Sequence, residues 1–176
     1  MHIAEGVFFY LLTYGIQVYG GVWGLDNFNT AEARTKAFTK EDNNKLLVIM
    51  NKVLRSLTGL PKDTPVSLLL QESGYLSVQQ LTAYHTLSTL FKVMKNKEPV
   101  YIYNSVMQNR NTSDRTRIPT VFQPKYDLSS SRQSFMHQAQ KLYNILPESV
   151  INAKNVTIFK KIVKSWIKSN IPPKPS

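Results

Sequence analysis

Phosphoryl-transfer enzymes that use two metal ions need carboxylates converging within a few ångströms, so that both cations are held against the reacting phosphate. The aspartates of this chain are Asp26, Asp42, Asp63, Asp114 and Asp127. Each stands alone in its segment except Asp42, which follows Glu41, and that pair sits where a helix is predicted to begin. Acidic residues in a first turn are accounted for by the helix dipole. The imidazoles are His2, His85 and His137, and no two share the short spacing of a metal motif. His85, beside Tyr84 on a predicted helix, reads as a partly buried histidine rather than a catalytic base. With no cysteine in the chain, disulfides, zinc–thiolate sites and thiol nucleophiles are excluded together, and a reducing compartment is the simplest setting. The glycines fall at helix ends, not in a phosphate-binding GxxxxGK loop. No catalytic residue, metal site or cofactor site is therefore expected, and the chain is not expected to be an enzyme.

The basic residues carry more. The formal net charge is +11, which costs stability through self-repulsion unless an acidic partner offsets it. The charge is uneven: from Met1 to Asn109, 10 Lys and Arg face 8 Asp and Glu, whereas from Arg110 to Ser176 the count is 12 against 3. Lys160, Lys164 and Lys168 repeat every four residues and form a ridge on a predicted helix, with Lys161 beside it. Arg110, Arg115, Arg117, Arg132 and Lys141 could extend the track. A charged face opposite an apolar one is also what any surface helix shows. The regional excess of positive charge favours phosphate contact, sequence-tolerant and sensitive to salt.

The elements that must position these residues are helical. From Ile3 to about Tyr19 the apolar residues surround the cylinder, which asks for burial on all sides. Gly20, Gly21 and Gly24 end it, and residues 25–39 read as a polar connection. Thr39 as N-cap opens a helix with Leu46, Leu47, Met50, Val53, Leu54 and Leu57 on one face; Gly59 caps it and Pro61 prevents its continuation. Pro65 suits the first turn of a short helix that ends at Gly74. Ser77 opens the next helix, with Leu81, Tyr84, Leu87, Phe91 and Met94 at intervals of three and four and Lys92, Lys95 and Lys97 toward its C-terminal end. A helical piece from Pro99 to Met107 follows.

Around 108–133 the composition turns to Asn, Ser, Thr, Arg and Pro, predicting an irregular arm that could include short strands. Helix resumes from Phe135 to Leu146 and breaks at Pro147. The last helix, about Asn155 to Asn170, sets Phe159, Ile162, Val163, Trp166 and Ile167 against its lysines. Pro172, Pro173 and Pro175 end the chain in a non-helical tail. The expected fold is mainly α, a multi-helix bundle forming a single domain over 1–171, with a Pro-rich tail at 172–176. Gly6 to Leu25 runs 20 residues without a charge, the length of a membrane span. Its polar and glycine residues, and the lack of a preceding basic stretch, favour a buried core helix instead.

A series of short phrases resembles the segment that follows the polymerase core in non-LTR retrotransposon reverse transcriptases. Leu12-Thr-Tyr-Gly-Ile-Gln-Val-Tyr-Gly-Gly21, Asn51-Lys-Val-Leu-Arg-Ser-Leu-Thr-Gly59 and Gly74-Tyr-Leu-Ser-Val-Gln-Gln-Leu-Thr-Ala-Tyr-His-Thr86 are similar to family phrases in the same order. Pro99-Val-Tyr-Ile-Tyr103, Arg115-Thr-Arg117, Ala139-Gln-Lys-Leu-Tyr-Asn-Ile-Leu-Pro147 and Phe159-Lys-Lys-Ile-Val-Lys-Ser-Trp166 continue the series. Tyr19 and Tyr143 stand where the family commonly has Trp, and the connection from Asp26 to Lys40 looks longer than usual.

The resemblance implies accessory helices behind a polymerase core, helping to hold template and primer, with the catalytic aspartates expected upstream of Met1. A non-catalytic fragment of such a polymerase is the leading expectation. Its RNA- or DNA-contacting residues are expected to be Arg115, Arg117, Arg132, Lys141, Lys160, Lys161, Lys164 and Lys168. The alternative is a repurposed protein-interaction or structural module without nucleic-acid binding. Self-association, or a protein partner bound through the apolar helix 3–19, is a further expectation, as is an intracellular location, nuclear or cytoplasmic, without membrane attachment.

Overall fold

The computed structural model describes residues 40–108 and 135–171, which form seven α-helices and, among the described residues, no strand. They are α1 (Lys40–Thr58), α2 (Val66–Ser73), α3 (Val78–Asn96), α4 (Val100–Gln108), α5 (Phe135–Asn144), α6 (Glu148–Ile151) and α7 (Val156–Asn170). The mainly helical bundle expected from the sequence is the observed architecture. The apolar segment 3–19, the connection 25–39 with its proposed cap Thr39, the arm beyond residue 108 and the tail 172–176 lie outside the described residues.

Local chemistry sets most helix ends. Gly59, at φ 68°, donates its N–H to Arg55 O at 2.8 Å and closes α1. Gly74, at φ 69°, does the same for α2 through Leu70 O and Gln71 O. A side chain at either position would strain the left-handed backbone that turns the chain toward the next helix. At the start of α3, Ser77 Oγ accepts from the Gln80 N–H at 3.2 Å while Gln80 Oε1 accepts from the Ser77 N–H at 3.0 Å, a reciprocal capping box. Asn155 caps α7 by accepting the Ile158 N–H at 2.8 Å. The short helix α6 was not expected beyond the break at Pro147; Pro147 itself serves as its N-cap, with its carbonyl accepting from Val150 and Ile151.

Helix α3 is the central element, touching α1, α4, α5 and α7, while α2 packs on α1 and α6 on α7. Its most extensive partner is α7, and the two run antiparallel. At one end Gln80 Nε2 donates to Ile171 O at 2.6 Å; at the other, Phe91 stacks on Phe159 with ring centroids 4.0 Å apart and planes 10° from parallel. Between these points Leu87, Leu90, Phe159, Val163 and Ile167 are wholly buried, together with Ala139 and Leu142 of α5. A second, smaller core gathers Met50 and Leu54 of α1, Leu69 and Leu70 of α2, and Val78 at the start of α3. Leu81 packs against both.

Because neighbours surround it, α3 buries more than the stripe its large residues suggest: Gln80, Thr82, Ala83 and Thr86 are buried as well. Small side chains there let the adjoining helices approach closely. The Thr82 hydroxyl donates back to Val78 O at 2.9 Å. Gln140 of α5 is fully buried, and neither its amide nitrogen nor its amide oxygen has a hydrogen-bond partner among the described residues.

Two substitutions test this packing. Phe159→Ala removes a wholly buried ring from the α3–α7 contact and should cost about 3–5 kcal/mol, read as a lowered urea midpoint at unchanged slope. Gln140→Met replaces an unsatisfied buried amide with an apolar side chain of similar length and should leave stability equal or higher by about 1 kcal/mol. A lower midpoint for Gln140→Met would mean that the amide is hydrogen-bonded in solution.

Candidate nucleic-acid interface

The basic ridge predicted on the last helix is present on α7. Phe159, Val163 and Ile167 face inward with no exposed surface, Ile162 and Trp166 pack partly against the same core, and Lys161, Lys164 and Lys168 are exposed. The 3.6-residue period of the helix makes this separation unavoidable once the apolar face docks on α3. Lys160 is half-buried, on the flank where α7 meets α3. Lys168 reaches across to that neighbour's approach: its Nζ donates to Gly74 O at 2.9 Å, in the loop before α3. That carbonyl lies just past the end of α2, where the helix dipole favours a cation.

Lys141, also expected on the basic track, sits half-buried on α5, which packs against α3, and burial pushes its pKa down. It is less available to a phosphate than the exposed Lys161, Lys164 and Lys168. Arg115, Arg117 and Arg132 lie outside the described residues, as does Arg110.

Two residues outside the expected set join the ridge. Antiparallel packing and the Phe91–Phe159 stack bring Lys92, which follows Phe91, alongside Lys160, which follows Phe159. His85 lies seven residues before Lys92, two turns back on the same face of α3. Its ring meets that of Tyr84 edge-on at 5.3 Å. The imidazole's pKa is lowered, first by burial and then by the positive charges of Lys160 and Lys92. Burial also holds the Tyr84 phenol above its ordinary value, so it stays neutral. The sequence showed Lys92 only as a cation near a helix C-terminus. Its pairing with Lys160 depends on how two helices align, which no local pattern encodes.

Comparison with protein-family models, curated proteins and solved structures finds no match to this chain. Its chemistry must be read from its own residues. Among the described residues no group of three or more His, Asp or Glu side chains is placed to hold a metal ion. No described helix is long and apolar enough to cross a membrane. An open cleft lined by Leu57, Leu60, Glu72 and Tyr75 lies between α1 and the end of α2. The arrangement on α7 and the adjoining face of α3 is suited to electrostatic contact with an extended anion: several cations on rigid helices, spaced one turn apart.

The lowered His85 pKa has a stability consequence. In the unfolded chain this imidazole takes a proton near its ordinary value of 6.5, while in the folded protein it resists until lower pH. Stability is therefore full above that value and falls as pH drops below it, because the unfolded state then binds more protons. His85→Gln should flatten this contribution. Between pH 7.5 and pH 5.5 the urea midpoint should fall further for the parent than for the variant; an identical acid loss in both would contradict the assignment.

Proposed function

We propose that the chain is a non-catalytic helical support, related to the segment that follows the polymerase core in non-LTR retrotransposon reverse transcriptases, and that it contacts nucleic acid through its basic surface. The observation that carries the reading is the lysine ridge on α7, set opposite the wholly buried Phe159, Val163 and Ile167 and continued onto α3 by Lys92. The order of family-like phrases along the chain supports it from the sequence side. The proposal assigns RNA or DNA as partner through phosphate contacts, and the nucleus or cytoplasm as location. Residues 3–19, outside the described part, are proposed to mediate self-association or to bind a protein.

A contact of this kind fixes no base identity, because lysines at a helix surface neutralise backbone charge without reading a groove edge. It should tolerate sequence and weaken steeply with salt. The second reading, a protein-interaction module that has lost nucleic-acid binding, draws on Val100 and Tyr101. They are 62% and 74% exposed at the start of α4, large for side chains of their kind.

Binding of RNA, DNA and RNA–DNA hybrid duplexes measured across salt concentration separates the two. The first reading expects log affinity to fall linearly with log salt, and Lys160, Lys164 and Lys168→Glu together to weaken binding and to lower the slope by about two to three. Indifference to nucleic acid at low salt would favour the interaction module.

A further inference from the structure

The meeting of α3 and α7 near the Phe91–Phe159 stack brings three cationic or ionisable nitrogen groups to one seam. Lys92 is exposed, Lys160 half-buried and His85 half-buried, and both charges that bear on His85 are positive. Packing holds the two helices in this alignment. The ring stack and the Gln80–Ile171 hydrogen bond fix the pair at both ends. The ridge then continues from Lys160 through Lys164 to Lys168, whose ammonium is anchored on Gly74 O.

Two ammonium groups carried on packed helices beside an imidazole favour an anion between them, and the anion in turn favours the charged imidazole. The anion must suit two ammonium groups and an imidazole, all hydrogen-bond donors once the imidazole is protonated. A phosphate group, with several acceptor oxygens and up to two negative charges, meets that requirement better than a single carboxylate.

We propose that His85, Lys92 and Lys160 form a phosphate-binding site at the α3–α7 seam, the fixed point from which a nucleic-acid backbone follows the lysine ridge of α7. The proposal rests on the nucleic-acid reading for its ligand's source, although a free phosphate offers the same chemistry. Binding is linked to the proton on His85. A phosphate seated there favours the imidazolium, so the imidazole takes up a proton as the site fills and affinity rises as pH falls. The groups facing His85 are Lys92 and Tyr84 on its own helix and Lys160 on α7. Tyr84 is neutral over the relevant range.

The test follows the His85 imidazole by NMR in the full chain, its signals assigned by their loss in His85→Gln. They are titrated with inorganic phosphate, with a short single-stranded oligonucleotide, and with sodium chloride at matched ionic strength. The expected result is a saturable shift with the oligonucleotide and an upward move of the His85 pKa. Affinity for the oligonucleotide should rise severalfold, by about three- to sixfold, between pH 8 and pH 6 if that move is about one unit. Lys92→Ala and Lys160→Ala should each diminish the shift, while Lys52→Ala on α1 removes the same charge elsewhere and should not.

A saturable response to inorganic phosphate with no oligonucleotide binding would uphold the site and overturn the nucleic-acid reading. Oligonucleotide binding that leaves His85 unmoved would uphold that reading and overturn the site. A response that follows ionic strength alone, the same with chloride as with phosphate, also overturns it.

Discussion

Gln80 occupies a position on which much of the described fold depends. Its side-chain oxygen completes the cap of α3 by accepting the Ser77 N–H, and its side-chain nitrogen donates to Ile171 O just beyond α7. One buried amide thus fixes where the central helix begins and where the last helix ends against it. Both polar ends of that amide are satisfied, which its burial requires. With the ends registered, the apolar face of α7 meets α3 in a single alignment that stacks Phe159 on Phe91. The basic face of α7 is a consequence of the same alignment: with Phe159, Val163 and Ile167 buried against α3, the lysines are left to the outward side and its flank.

Helix positions were largely legible in the sequence because their boundaries are written in strong local signals. Gly59 and Gly74 supply the left-handed residues that end α1 and α2, Pro65 precedes α2, and Ser77 with Gln80 three residues later opens α3. The apolar period on α7 correctly separated Phe159, Val163 and Ile167 from the lysines. What could not be read is where tertiary contact overrides a local pattern. Thr82, Ala83 and Thr86 lie off the stripe of large residues on α3, yet they are buried because helices pack on several sides of it. Lys141 belongs by charge to the basic C-terminal third, but its helix turns it partly into the packing.

The candidate interface shows the same division. Lys160, Lys164 and Lys168 share a helix, so their spacing alone sets them in a row. Lys92 and His85 join them only through the α3–α7 alignment, across a sequence separation that carries no periodic signal. A histidine beside a tyrosine on an amphipathic helix is ordinarily part of a core edge. Its significance here comes from the sign of the charges around it, which the fold determines.

The central claim is that the seam of α3 and α7 presents a phosphate-contacting surface. Its most direct measurement is lysine acetylation followed by mass spectrometry, comparing the full chain alone with the chain saturated by an RNA–DNA hybrid duplex at low salt. The account predicts protection of Lys92, Lys160, Lys164 and Lys168, with Lys52 and Lys62, both exposed on α1 and the loop after it, modified at unchanged rates. Protection spread evenly over all lysines, or confined to those outside the seam, would contradict it.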